Sequence, residues 1–431
     1  MTTAAAAVAT RSKAVAANDK VNVVVVGLGG RGQAHMKSYM ALPEANLMGV
    51  CDVNQSAVER AQATVLKGSG NQPKGYKDMR EVFDDKSVDA VSMPLPNHWH
   101  ALATIWACEA GKDVYIEKPA CHNPYEGQQM INAARKYKRI VQIGSQSRSI
   151  SHKMKAIQLL KEGIIGDVYL AKGLCYKRRP SIGHKPDEAV PAGLDWDKFL
   201  GPAPMRPFNQ LRFAYNWHWF WDTGNGDMGN QGIHEMDIAR WGLGVEEMPK
   251  YITSFGGKYV YDDDQETPNT ITSAFNYGKK EIVFETRGLL TNGEGAVEIR
   301  GFNGKQAGNA IGNLFYGSNG WMGVDNSGFA IYKGESNEKI MEEKRDKADE
   351  TQVHMANFLK GLKSRDIKDL HADVAVGVTS ANLVHLGNAA YRVNRRLEFD
   401  SKTAKFVNDK EADKYLTRVY RKPYVVSDIK V

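Results

Sequence analysis

Cysteine is scarce in this chain, and so are the features that would mark a membrane-spanning or nucleic-acid-binding protein. Four cysteines, Cys51, Cys108, Cys121 and Cys175, are spread over 431 residues. None has metal-ligand spacing, so no metal site is expected. Cys51 and Cys108 lie in apolar runs, where buried thiols are common. A disulfide framework is not expected in a chain this long and cysteine-poor. No apolar run approaches the ~18–20 residues of a membrane-spanning helix. Charge of one sign is never concentrated: the net charge is +7, with no block of like charges long enough for a nucleic-acid arm. The densest basic spot, "YKRRP" at 176–180, reads as a solvated loop rather than an anion site. There is no internal repeat. The chemistry must therefore come from side chains on a folded scaffold, with no nucleic-acid or membrane partner.

The first 19 residues, "MTTAAAAVATRSKAVAAND", are rich in small residues, and Ala14-Val15-Ala16 is similar to an A-x-A cleavage site. They read either as the tail of an export signal, which would place the protein in the periplasm, or as a disordered leader of a cytoplasmic one. Residues 20–147 read as one domain. The strands "VNVVVV", "NLMGVCD", "VDAVSM", "DVYIE" and "IVQIG" alternate with helical stretches, the rhythm of βαβ units and a parallel sheet. The strands are apolar without alternation, as a sheet covered on both faces requires. Residues 148–431 change rhythm. Helical "SHKMKAIQLLKEG" and strand-like "DVYLAKGLCY" precede a long loop over 177–225, and "GIHEMDIARWGLG" forms a helix. Strand-like runs follow, "YITSFGGKYVY", "NTITSAFNYG", "KEIVFETRGLL", "GAVEIRGFNG" and "AIYKG", then two late helices. The expected fold class is α/β: a doubly wound Rossmann domain followed by an α+β domain with a large, open, mostly antiparallel sheet.

"GLGGRG" places Gly27, Gly29 and Gly32 in G-x-G-x-x-G spacing, directly after a strand and opening a helix. Asp52 follows at the end of the next strand, 20 residues beyond Gly32. This is the dinucleotide fingerprint: room for a tight turn, close approach of a pyrophosphate, close helix–strand packing, and an acid for the ribose hydroxyls. A carboxylate repels a 2′-phosphate, so NAD is expected rather than NADP. Arg31 in the same loop either meets a phosphate or faces solvent.

The third strand runs into "PLPNHWH" and the fourth into "YIEKP", both at carboxyl ends, where ligands of open α/β sheets sit. With "GLGGRG", "AGKDVYIEKP" and "GNQGIHEMDIARWGLG", the chain from about residue 20 to 400 resembles the Gfo/Idh/MocA family of sugar and polyol oxidoreductases. The resemblance implies homo-oligomers, dimers or tetramers, built through the open sheet. It implies that Lys118 reaches both nicotinamide and the reacting hydroxyl, that a cis peptide precedes Pro119, and that His234 is the acid/base residue. It puts Asn97 and His100 beside the nicotinamide, and adds Gly30, Pro96 and Glu117 to the cofactor-lining set. The residue types suit alcohol oxidation independently: histidine titrates near neutrality, and an ammonium polarises a developing alkoxide.

Where many members of the family carry an aspartate four residues before the histidine, this chain has Asn230. An amide cannot raise the basicity of His234, but it can donate to and accept from sugar hydroxyls. Asn230 therefore reads as a substrate-orienting residue, with Asp227 a candidate for the missing charge and Asp237 a structural acid. "YNWHWFWDTGNGD" groups Tyr215, Trp217, Trp219, Phe220 and Trp221 around His218. These aromatics either stack on sugar faces or anchor the loop in the core; extended alternation puts Trp217, Trp219 and Trp221 on one side. Tyr176, Lys177 and Arg212 are further candidates to reach the substrate. Three functions follow: an NAD-dependent oxidoreductase acting on a secondary hydroxyl of a sugar, polyol or glycoside; a glycosidase with captive NAD that works through a transient 3-keto sugar; or a non-catalytic NAD- or sugar-binding protein, disfavoured by the intact Lys118 and His234.

Overall fold

The computed structural model describes residues 20–298, 300–302 and 306–431. The leader, and part of the run "GAVEIRGFNG", lie outside the described residues. The N-terminal half is a parallel six-stranded sheet: β1 (Val21–Val26), β2 (Ala45–Cys51), β3 (Lys74–Tyr76), β4 (Ala90–Met93), β5 (Asp113–Glu117) and β6 (Val141–Gly144), in the order β3-β2-β1-β4-β5-β6. Helices α1 (Gly30–Ala41), α2 (Gln55–Ser69), α3 (Met79–Asp84), α4 (His100–Glu109) and α5 (Pro124–Lys136) connect them. The strand order reverses between β1 and β4, so a crevice opens beyond their carboxyl ends. Val23 to Val26 and the whole of β4 and β5 are buried, which explains their continuous apolar runs. The sequence expectation lacked β3, a three-residue strand with only Tyr76 buried; so short and polar a run carries no periodic signal.

The second half begins with α6 (Ser151–Lys161) and β7 (Val168–Tyr176). The connection that follows carries α7 (Trp196–Leu200) and a 3-10 turn at Asn216–Trp219, and ends in α8 (Gly226–Asn230) and α9 (Gly232–Leu243). Strands β8 (Tyr251–Gly257), β9 (Thr270–Asn276), β10 (Glu281–Arg287), β11 (Arg300–Phe302), β12 (Gln306–Gly317), β13 (Gly320–Asp325), β14 (Gly328–Lys333), β15 (Glu338–Lys344), β16 (Leu397–Asp400) and β17 (Lys405–Phe406) complete the sheet. Its path is β15-β14-β13-β12-β7-β10-β9-β8-β16-β17, with β11 paired to β12. Pairing is antiparallel except between β7 and β10, which run parallel. One face alternates into the core: β9 and β10 each bury every second residue. Helices α6, α9 and α11 (Val374–Val393) pack on that face.

Late segments also finish the first domain. Met355, Phe358 and Leu362 of α10 (Glu350–Ser364) join the cluster around Val23 and Tyr39. Tyr424 and Val426 of the C-terminal tail join the cluster beneath α4 and α5. The two domains thus share core residues across the chain, and the crevice at the switch point is roofed by the connection between β7 and α8. No helix among the described residues is long and apolar enough to cross a membrane.

Candidate active site

The glycine loop leaves β1 in the conformation the fingerprint demands. Gly27 has φ +98°, and a Cβ there would press on the Pro94 carbonyl; a Cβ on Gly32 would collide with the carbonyl of Gly27. A Cβ on Gly29 would instead meet open space. Gly29 is also the N-cap of α1 and offers no side-chain acceptor. The first-turn amides of α1 therefore face the crevice, a ready site for a phosphate. Asp52 ends β2 with its carboxylate fixed by two backbone amides, Leu28 N at 2.7 Å and Asn54 N at 2.9 Å.

Two cavities meet over this loop. One, of about 290 Å³, lies between Gly27–Gly29, Asp52, Arg60, Pro94–Pro96 and, from the roof, Phe199 and Trp217. The other, of about 680 Å³, is lined by Gly29–Arg31, Glu117, Lys118, Tyr215, Trp217, His218 and Asn230. They share Gly29, Pro94, Leu95, Ala214 and Trp217, so together they form one trough crossing the switch point. Its open amides and the Asp52 carboxylate are the groups a dinucleotide-binding crevice presents at a switch point.

Lys118 sits at the inner end, where the chain leaves β5; the Lys118–Pro119 bond is cis. Its ammonium donates to the Asn230 carbonyl at 2.8 Å. Burial lowers its pKa to about 8, against the raising effect of the Glu117 carboxylate; Arg31 and Lys177 lower it further. Burial and the nearby Lys118 charge also push His234 well below its ordinary range. His234 is half-buried, and its ring makes no hydrogen bond among the described residues. His234 feels the Lys118 charge but is not among the residues lining the cavity; the imidazole in that lining is His218, so at neutral pH the lining holds the Lys118 ammonium and a neutral imidazole.

Asn230 answers for the missing acid differently from expectation. Its backbone carbonyl holds Lys118, while its side-chain amide donates to the Tyr215 hydroxyl at 2.8 Å. Asp227 is not free for a substrate: its carboxylate takes Arg179 Nε at 3.0 Å and Nη2 at 2.6 Å. Arg179 Nη1 also donates to Tyr215. "YKRRP" is thus no solvated loop, because the end of β7 delivers Lys177 and Arg179 to the site.

Several expected residues face elsewhere. Asn97 is buried and donates to Asn225 Oδ1 at 2.9 Å. His100 is fully buried, its ring nitrogens on the carbonyls of Pro119 (2.6 Å) and Leu95 (2.8 Å). The tight turn after β4 points both inward: His100 supports the Pro119 carbonyl from behind, Asn97 ties the turn to Asn225, and of the expected residues on this turn Pro96 is the one that lines the trough. Arg31 lines the Lys118 cavity, where its Nε pairs with Glu117 at 2.7 Å and its Nη2 has no hydrogen-bond partner among the described residues. Glu117 also receives His35 and Gln146 and lines the cavity beside Lys118. Tyr176 is buried on the opposite sheet face, donating to Glu285 and Glu294. Strand alternation explains this, since it places Cys175 and Lys177, not Tyr176, toward α9. Arg212 pairs with Asp187. The tryptophans do not share a side, because residues 216–219 form a 3-10 turn rather than an extended strand. Trp217 lines the trough, Trp219 lies buried under Arg179, and Trp221 stacks beneath Arg392. Asp237 is structural, in a bidentate pair with Arg148.

Sequence reasoning missed Arg60, Phe199 and His218 as site residues. His218 stacks on Trp217 with centroids 3.5 Å apart and donates Nδ1–H to the Tyr215 carbonyl. Its Nε2 is left as the basic atom, and burial and the Lys118 charge keep the ring neutral. Its position beside "GNGD" was the available signal. No group of three or more His, Cys, Asp or Glu that could hold a metal occurs among the described residues.

The Gfo/Idh/MocA oxidoreductase family model of the NAD-binding Rossmann fold matches residues 21–145. Its companion, the C-terminal alpha/beta domain, matches 171–306 and 323–426. The chain belongs to this family. Among solved structures it is similar to the WlbA dehydrogenase of Bordetella pertussis, in complex with NADH and UDP-GlcNAcA: 17% identity, TM-score 0.64, covering 88% of this chain and 99% of that one. The aldose-aldose oxidoreductase of Caulobacter crescentus is similar at 18% identity and TM-score 0.64, covering 88% and 100%. These likenesses show the fold. Among curated proteins, an alpha-N-acetylgalactosaminidase of Shewanella oneidensis is 25% identical over 152 residues, 34% of this chain and 33% of that one. The chain spans about a third of the length of the first such relatives.

Proposed function

We propose that this protein is an NAD(H)-dependent oxidoreductase acting on a secondary hydroxyl of a sugar, polyol or glycoside. The observation that carries this reading is Lys118, an ammonium held by the Asn230 carbonyl at the inner end of a dinucleotide-shaped trough. A bound nicotinamide supplies the hydride acceptor. Lys118 donates to the substrate oxygen and steadies the negative charge that grows there. His234 accepts the hydroxyl proton. Asn230 and Arg179 hold Tyr215 over the cavity and set the sugar's orientation.

The protonation states give the test. Lys118 must be charged to donate, and its pKa is lowered to about 8. Sugar oxidation should therefore keep a level kcat/KM through neutral pH and fall above about pH 8. Lys118→Arg, which stays charged, should lose that alkaline fall at a lower overall rate. A rate that rises through pH 8 would instead make neutral Lys118 the base.

NAD is proposed over NADP because the Asp52 carboxylate lies where the adenosine ribose would sit. Asp52→Ala should weaken NAD binding and relax discrimination against NADP, since Arg60 on the same wall can then meet a 2′-phosphate. Unchanged preference in a binding titration would place the ribose elsewhere. A glycosidase with captive NAD is the second reading, supported by the 25% likeness to the alpha-N-acetylgalactosaminidase; it uses the same Lys118 chemistry at a sugar carbon and differs in releasing a hydrolysed product. A homo-oligomer is proposed through the open sheet face, where Phe255 is 65% exposed and Tyr169 52%.

A further inference from the structure

A third cavity, of about 480 Å³, opens beside the Lys118 cavity and is lined by Lys177, Arg178, Arg179, Tyr215, Trp219 and Asn309, with neighbouring loop residues. Tyr215 belongs to both cavities. Its hydroxyl accepts from Arg179 on one side and Asn230 on the other, so the two spaces meet at one side chain.

The charges around this cavity do not balance. Arg179 is neutralised by Asp227. Lys177 donates to the neutral Gln231 side chain at 2.9 Å. Arg178 Nη1 donates to two backbone carbonyls, of Arg179 and Gly288. The nearest other acids are engaged elsewhere. Asp263 pairs with Lys258, Glu285 with Arg287, and Glu294 with Lys172 on the far sheet face. Glu235, under Lys177 on α9, is pushed toward its neutral form by burial. Two cations thus face the cavity without a carboxylate. Burial and the Arg179 charge depress Lys177, the sign of a cation held in place without its counter-ion. Desolvated cations with free donors are a strong recognition element for an oxyanion.

We infer that this cavity is a subsite for an oxyanion of the substrate, a carboxylate or a phosphate, whose sugar reaches the Lys118 cavity past Tyr215. Lys177 is its main contact, with Arg178 at the rim and Arg179, fixed by Asp227, holding the wall. Trp219 beneath Arg179 gives the floor an apolar surface for the sugar ring. The inference rests on the proposed sugar-oxidising site and names the class of sugar it takes: acidic or phosphorylated rather than neutral.

The test uses the full chain with NAD+ present and reads binding by tryptophan fluorescence or calorimetry. The probes are D-glucuronate, its uncharged isostere D-glucuronamide, and glucose 6-phosphate. Wild type should bind at least one of the two anions about tenfold or more tighter than the amide, the gain of a charge-assisted hydrogen bond. Whichever anion binds tighter identifies the oxyanion. Lys177→Met should lose most of that preference at unchanged NAD+ affinity, and Lys177→Arg should restore it, which separates a lost contact from a misfolded variant. Equal binding of amide and anions, no binding of any probe, or a preference untouched by Lys177→Met would overturn the subsite. A preference that behaves as expected while no sugar reduces NAD+ would keep the subsite and remove the oxidoreductase reading instead.

Discussion

Lys118→Ala is expected to lower turnover by ~10² or more while leaving NAD+ affinity near that of wild type. General acid–base assistance alone is worth about that factor, and Lys118 supplies electrostatic stabilisation in the same recessed position. Cofactor binding should survive because the amides at Gly29–Arg31 and the Asp52 carboxylate belong to other elements. The truncation also strands the Asn230 carbonyl, which Lys118 caps at 2.8 Å. An orphaned buried acceptor costs about 1–3 kcal/mol, so the melting temperature should drop modestly without loss of fold. Single-turnover kinetics separate these effects: the chemical step should slow, not the binding step. Wild-type turnover in the variant would remove Lys118 from the mechanism.

Asp237→Ala is expected to be the most destabilising of the substitutions considered. Arg148 and Asp237 form a two-bonded pair with side chains 7% and 2% exposed. Ser380 donates to the same carboxylate at 2.6 Å and accepts from Arg240 Nε. Trp241 covers the Arg148 guanidinium at 4.6 Å. Removing the carboxylate leaves Arg148, and Arg240 beyond it, as buried cations without a counter-charge, a loss of about 3–5 kcal/mol. Urea unfolding should show the shift in midpoint. Because Asp237 lies one helical turn after His234 on α9, the variant should also raise KM for the sugar. Replacing both partners together, with Arg148→Met and Asp237→Leu, should cost less than the single change, since no charge is then stranded. An additive loss would show that packing, not the stranded charge, dominates.

The Rossmann half was legible because its signals are local. Val23 to Val26 run apolar without alternation, and Gly27 and Gly32 stand where backbone crowding allows no side chain. Lys118 and Asp52 sit at strand ends, so strand recognition alone places them in the crevice. Signals that depend on distant partners were not legible. The ion pair of Arg31 with Glu117, 86 positions away, leaves no mark in the sequence. His100 looks like a cofactor contact until its turn directs the ring onto two carbonyls. Arg179 looks like a loop cation until the end of β7 meets Asp227. The parallel pairing of β7 with β10 also escaped the pattern, because residue alternation is the same in parallel and antiparallel strands.

The most direct test is the redox state of the nicotinamide nucleotide after exposure to sugar. The protein is incubated with NAD+ and a panel of neutral, acidic and phosphorylated sugars, and NADH is quantified in the whole mixture and in the desalted, denatured protein. NADH formed with at least one sugar in wild type but not in Lys118→Ala is the predicted result. NAD+ that no sugar reduces, free or bound, would contradict an NAD-dependent sugar oxidoreductase.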